Sequence, residues 1–71
     1  MNKNMRNYLI STAEDILYAN GGPDAAVMAV NMTAASRGVE LSESEVVEIF
    51  GQAANNWGKG KRTDYNPFNL G

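Results

Sequence analysis

The residues that could do chemistry here are carboxylates and hydroxyls, because the 71-residue chain contains no histidine and no cysteine. Two carboxylate pairs, Glu14 with Asp15 and Glu45 with Glu48, are formally available for general acid–base catalysis. Both pairs fall in segments with helical periodicity, so we interpret them as solvated charges on exposed helix faces. The sequence therefore predicts a protein that is not an enzyme.

Nucleophilic catalysis and ligand binding are equally poorly supported. The serines of the chain have no histidine to activate them. The run Gly58-Lys59-Gly60-Lys61 lacks the length and the terminal Ser/Thr of a phosphate-binding loop. Nothing has the spacing of a calcium loop, and carboxylates alone would bind a metal weakly. We predict no catalytic residue, no metal site and no cofactor.

The charges are unevenly distributed, although the net charge is only −2. An acidic stretch with no basic residue inside it comprises Glu40, Glu43, Glu45 and Glu48. It suits the basic face of a protein partner, although a solvated helix face explains any single glutamate at least as well. Carboxylates at the start of a helix also count against a DNA-recognition helix, which would bring them to the phosphates.

The C-terminal residues combine basic and aromatic side chains. They are Trp57, Lys59, Lys61, Arg62, Tyr65 and Phe68. This composition can bind single-stranded nucleic acid through phosphate contacts and base stacking. It also suits an arm that docks into a groove of another protein or of a second copy. A third alternative is a tail that folds back, with Phe68 and Leu70 covering the domain near Trp57.

Three helical segments must position these groups. The apolar periodicity predicts helices over residues 4–19, 23–37 and 43–57, followed by an extended tail over 59–71. The fold class is all-α, a small three-helix bundle of residues 1–58 with an extended basic and aromatic C-terminal tail. The first helix should end at Asn20-Gly21-Gly22, because glycine accepts the left-handed conformation found at helix ends.

The second and third helices differ in what their sequences predict. Six consecutive apolar residues from Ala25 to Val30 cover nearly the whole circumference of the second helix. That helix is either central in the bundle or carries surface for a partner. The third helix should begin with a capping box formed by Ser42 and Glu45. Its apolar face should run through Val46, Phe50, Ala53 and Trp57.

A protein–protein interaction module is the function that these features favour. Small size, acidity and the lack of catalytic groups are typical of phage or mobile-element accessory proteins, which bind and inhibit or adapt a larger complex. The alternatives are nucleic-acid binding through the tail and a structural subunit of a larger assembly. A homodimer is expected because so short a chain gains stability by pairing. We see no secretory signal and no membrane-spanning run, so we expect a cytoplasmic protein, bacterial or in a host cell.

Overall fold

A computed structural model describes residues 1–70 of the chain as three helices without any strand. Helix α1 spans Lys3–Tyr18, α2 spans Pro23–Ser36 and α3 spans Glu43–Gly58. The predicted all-α three-helix bundle is confirmed, and each predicted helix end lies within one residue of the observed one. Within the described residues, no helix has both the length and the apolar character needed to cross a bilayer.

Helix α1 is the centre of the bundle. Its first turn is capped by Asn2, whose side chain accepts a hydrogen bond from the Met5 backbone N–H at 2.7 Å. A stripe at every fourth position, Met5, Leu9, Ala13 and Leu17, is buried. This stripe packs against both other helices, whereas α2 and α3 contact each other little. The core therefore forms around α1.

Helix α2 is peripheral, so the prediction that it is central in the bundle is wrong. Only the stripe Ala26, Val30 and Ala34 is buried. Met28 and Met32, on the far side, are 62% and 67% exposed. Because α3 lies mainly against α1, nothing in the described chain covers this second apolar side of α2. Apolar surface is thus left in contact with solvent.

All three helices end in the same hydrogen-bonded turn. The residue after each C-cap has a left-handed backbone: Asn20 at φ 60°, Gly38 at φ 72° and Gly60 at φ 68°. The prediction of a left-handed glycine after α1 is therefore wrong, because Asn20 takes that conformation. Position 21 favours glycine for a steric reason, since a Cβ there would lie only 2.6 Å from Ile16 Cγ2.

Helix α3 begins with the predicted capping box. The Glu45 N–H donates to Ser42 Oγ at 3.2 Å, and the Ser42 N–H donates to Glu45 Oε1 at 2.9 Å. The buried face is centred on Ile49 and Ala53. Trp57 lies at the end of this apolar face, where it lines a cleft with Phe50 and Leu17, and its side chain is 44% exposed.

Replacing Ser42 by alanine is expected to lower the free energy of unfolding by about 1 kcal/mol, since the Glu45 N–H loses its acceptor. Urea denaturation followed by Trp57 fluorescence measures the change. Ser44→Ala, in the first turn of α3, is the matched control. It removes only a hydroxyl contact with Ser42 and should change stability by less than about 0.5 kcal/mol. Equal losses in the two variants would contradict the capping role.

Candidate functional site

The C-terminal tail, residues 59–70, runs back along α1. Near the end of α1, Tyr18 Oη donates to the Lys61 carbonyl at 2.8 Å. Further along, the Tyr8 and Tyr65 rings lie 5.0 Å apart between centroids. The tail therefore passes from the last turn of α1 toward its first, antiparallel to the helix.

A buried carboxylate holds this tail. Glu14 is 0% exposed. Its Oε1 accepts from the Thr63 N–H at 2.9 Å and from Arg62 Nε at 3.2 Å. Its Oε2 accepts from Thr63 Oγ1 at 2.9 Å and from Asn56 Nδ2 at 2.8 Å. Four donors satisfy the charge, so burial of the carboxylate is compensated.

The prediction that Glu14 is a solvated charge is therefore wrong, although its neighbour Asp15 is exposed. The sequence did carry a signal. Glu14 lies four residues after Ile10 and three before Leu17, on the apolar stripe of α1. The spacing along α1 does not show where the hydrogen-bond donors to Glu14 come from. They lie in α3 and the tail, more than 40 residues away.

Arg62 also serves this internal contact. Its guanidinium pairs with Asp15 as well as Glu14 and lies 5.3 Å from the Tyr18 ring centroid. The hydrogen bond that Arg62 donates to Asp15, reinforced by both carboxylate charges, raises the pKa of Arg62 above its ordinary value. Of the predicted tail contacts, Arg62 and Tyr65 are thus engaged within the chain.

The last part of the tail is a clamped turn. Asn4 Nδ2 donates to the Asn66 and Asn69 carbonyls at 2.7 and 2.5 Å, and Asn4 Oδ1 accepts from the Asn66 N–H at 2.7 Å. Leu70 is buried in the core next to this clamp. The prediction that Phe68 covers the bundle is wrong, because its side chain is 94% exposed at the tip of the turn.

The position of Leu70 also differs from the prediction. Its neighbour Asn69 contacts Asn4, in the first turn of α1. Trp57 lines a cleft with Leu17, in the last turn of α1. Leu70 therefore lies at the opposite end of α1 from Trp57, because the tail follows the whole length of the helix before it ends.

The outer side of α2 presents a continuous apolar stripe, here called the methionine face. It consists of Ala25, Met28, Met32 and Ala35, all exposed. Their spacing of three, four and three residues places them on one side of the helix. No charged residue occurs between Asp24 and Arg37. Our sequence-based site omitted these residues, because α2 is apolar around most of its circumference and its sequence does not show which side is covered.

The acidic stretch divides into two roles. Glu40, Glu43 and Glu48 are exposed, and the last two border a shallow depression with the 65% exposed Val47 at the start of α3. Glu45 is instead part of the capping box, where hydrogen bonds from Ser42 lower the pKa of its carboxyl. That bond stabilises the fold at neutral pH, and the contribution is lost as pH falls through the lowered pKa.

Trp57 lines an apolar cleft at the end of α3. The cleft has a volume of about 280 Å³ and is bordered mainly by apolar side chains: Leu17, Pro23, Phe50, Ala54 and Trp57. Lys59 and Lys61 are exposed just beyond it. The structure therefore places the tail lysines at the opposite end of α3 from the acidic stretch, so the two predicted contact regions do not form one site.

Comparison with known proteins adds no relationship: no family model matches the sequence, and no curated protein or solved structure matches it significantly. Residues 1–70 contain no group of three or more acidic side chains placed to hold a metal ion. The methionine face is a candidate functional surface, because its four residues are exposed and lie on one side of α2.

Proposed function

We propose that the chain is a non-catalytic protein-binding module whose methionine face docks on a larger protein. The observation that carries this proposal is an exposed apolar stripe along a helix that has no charge between Asp24 and Arg37. A chain of this size has little apolar surface to spare from its core. Two methionines held about two-thirds exposed therefore favour a role outside the fold.

The chemistry of the face indicates the kind of partner. Unbranched methionine side chains adapt to irregular apolar surfaces, and alanines at both ends let a partner approach the backbone closely. Ala35 and Glu40 line the same shallow depression, so the acidic stretch begins where the methionine face ends. The partner that fits is a protein with an apolar, helix-accepting groove and a basic rim.

Nucleic-acid binding through the tail is the weaker candidate. Arg62 and Tyr65 are held against α1, which leaves Lys59 and Lys61 with the half-exposed Trp57. Two lysines give few phosphate contacts on a chain of net charge −2. The finer predictions of a phage-type accessory role, with inhibition or adaptation of a cytoplasmic complex, belong to the same proposal and rest on size and composition.

Replacing Met28 by glutamate is expected to weaken partner binding about 30-fold, because a charge must then be buried in the apolar contact. The full chain and this variant are used to capture proteins from a native extract, and the affinity for the captured protein is then measured by calorimetry. Asn55→Glu is the matched control, because it adds the same charge to an exposed helical position on α3, away from the methionine face.

Equal capture by wild type and Met28→Glu would overturn the assignment of the face. Retardation of DNA or RNA by the chain at physiological salt, lost when Lys59 and Lys61 are replaced by glutamine, would instead support the nucleic-acid alternative. Circular dichroism of each variant separates a lost contact from a lost fold.

A further inference from the structure

The turn at residues 66–69 holds the Phe68 backbone in a fixed conformation and exposes its ring. The Phe68 N–H donates to Asn66 Oδ1 at 3.0 Å, and the Asn69 N–H donates to the Asn66 carbonyl at 3.3 Å. Asn4 clamps the same turn from α1 with three further hydrogen bonds. A phenyl ring that is 94% exposed on a backbone held this firmly is prepared for a contact, because the backbone has little entropy left to lose.

The same chain has a recess of matching chemistry at its other end. The Trp57 cleft is open to solvent, and its lining is almost entirely apolar. Its volume of about 280 Å³ is large enough for an aromatic side chain. Aromatic rings in apolar pockets are the usual anchors of protein interfaces.

Phe68 cannot fill the cleft of its own chain. Its turn is fixed to Asn4, while the cleft includes Leu17, and these positions are separated by about 20 Å along α1. Any chain whose Phe68 enters this cleft must therefore be a different copy.

We propose that two copies associate head to tail, with Phe68 of one copy inserted in the Trp57 cleft of the next. Such a joint is heterologous, since each copy contributes a different surface, and both a free ring and a free cleft remain at the ends of the pair. Association then continues into longer assemblies unless the rotation between copies closes a ring.

The charges of α3 are compatible with this arrangement. The start of α3, with Glu43 and Glu48, lies at the Phe68 end of the molecule, and Lys59 and Lys61 lie at the cleft end. A head-to-tail joint brings the acidic start of one α3 toward the basic end of another. Lys3 and Arg6 also lie at the Phe68 end and offset part of its acidic charge. The Phe68 ring therefore determines the contact, and charge contributes less.

Two variants test the joint by complementation. Phe68→Ala removes the ring and keeps the cleft, whereas Ala54→Phe fills the cleft and keeps the ring. By sedimentation equilibrium we expect the mass of the wild type to rise with concentration and each variant alone to remain monomeric. An equimolar mixture of the two variants should form a dimer and nothing larger, because the mixture contains one functional joint per pair.

Trp57 emission gives a second readout. In the wild type it should shift to shorter wavelength on concentration, as the ring covers the indole, and it should not shift in Phe68→Ala. Wild type that stays monomeric at millimolar concentration, or a Phe68→Ala variant that associates like wild type, would overturn the proposal. The comparison of wild type with Phe68→Ala remains a test of the proposal even if Ala54→Phe does not fold.

Met32→Glu distinguishes this inference from the proposed function. Met32 belongs to the methionine face, so its replacement should leave head-to-tail association unchanged. If Met32→Glu abolished association while Phe68→Ala had no effect, the copies would be pairing through α2 and the joint proposed here would be wrong.

Discussion

Replacing Glu14 by alanine is expected to destabilise the protein by about 3 kcal/mol and to release the tail. The substitution removes the acceptor for donors from Arg62, Thr63 and Asn56 at once. The partly buried Thr63 N–H then loses its acceptor in the protein, which adds a desolvation cost. Arg62 is 46% exposed, so water compensates part of its loss and keeps the total below that of a fully buried ion pair.

Urea denaturation measures the stability, and amide hydrogen exchange at Thr63 measures the release. Thr63 should be protected in the wild type and exchange freely in Glu14→Ala. Glu14→Gln should lose less stability than Glu14→Ala, since one oxygen acceptor and the shape of the side chain are retained. Asp15→Asn, at the exposed neighbour that also binds Arg62, should lose less than about 1 kcal/mol. Retained Thr63 protection in Glu14→Ala would show that the tail is held elsewhere.

Replacing Leu9 by alanine is also expected to cost about 3 kcal/mol, for a different reason. Leu9 is fully buried on α1, the helix that contacts both α2 and α3. A chain of this length has a total stability of about 4–10 kcal/mol, so the loss is a large part of the whole. We expect the midpoint of thermal unfolding to fall by about 15 °C.

Calorimetry measures that midpoint, and Leu9→Met provides the matched control. Methionine keeps most of the buried volume, so its cost should stay below about 1.5 kcal/mol. Met28→Ala, which removes an exposed side chain of similar size, should change the midpoint by a few degrees at most. A fall after Leu9→Ala no larger than that after Met28→Ala would contradict the placement of the core around α1.

Local signals made the helices predictable. The capping box at Ser42 acts within four residues, and the sequence alone reveals it. The four-residue spacing of Met5, Leu9 and Ala13, which are buried on α1, is likewise visible in the sequence. The conformation of Asn20 was missed because glycine was the more obvious choice at that turn.

Contacts between helices were less predictable. The apolar circumference of α2 allowed it to be central or peripheral, and only the packing of α3 against α1 left Met28 and Met32 exposed. Similarly, the composition of the tail did not separate binding residues from structural ones. Arg62 and Tyr65 turned inward because Glu14 and Tyr8 lie along their path, while Phe68 stayed at the tip of a turn.

By itself the sequence determined three helices, their ends and their number, because caps and periodicity depend on neighbours along the chain. Only the tertiary structure decided which surfaces remain available: the methionine face, the Trp57 cleft and the ring of Phe68. The physical reason is that exposure depends on what packs above a residue, and the groups that cover or expose these surfaces are distant in sequence. The same distance separates Glu14 from the donors that make its burial possible.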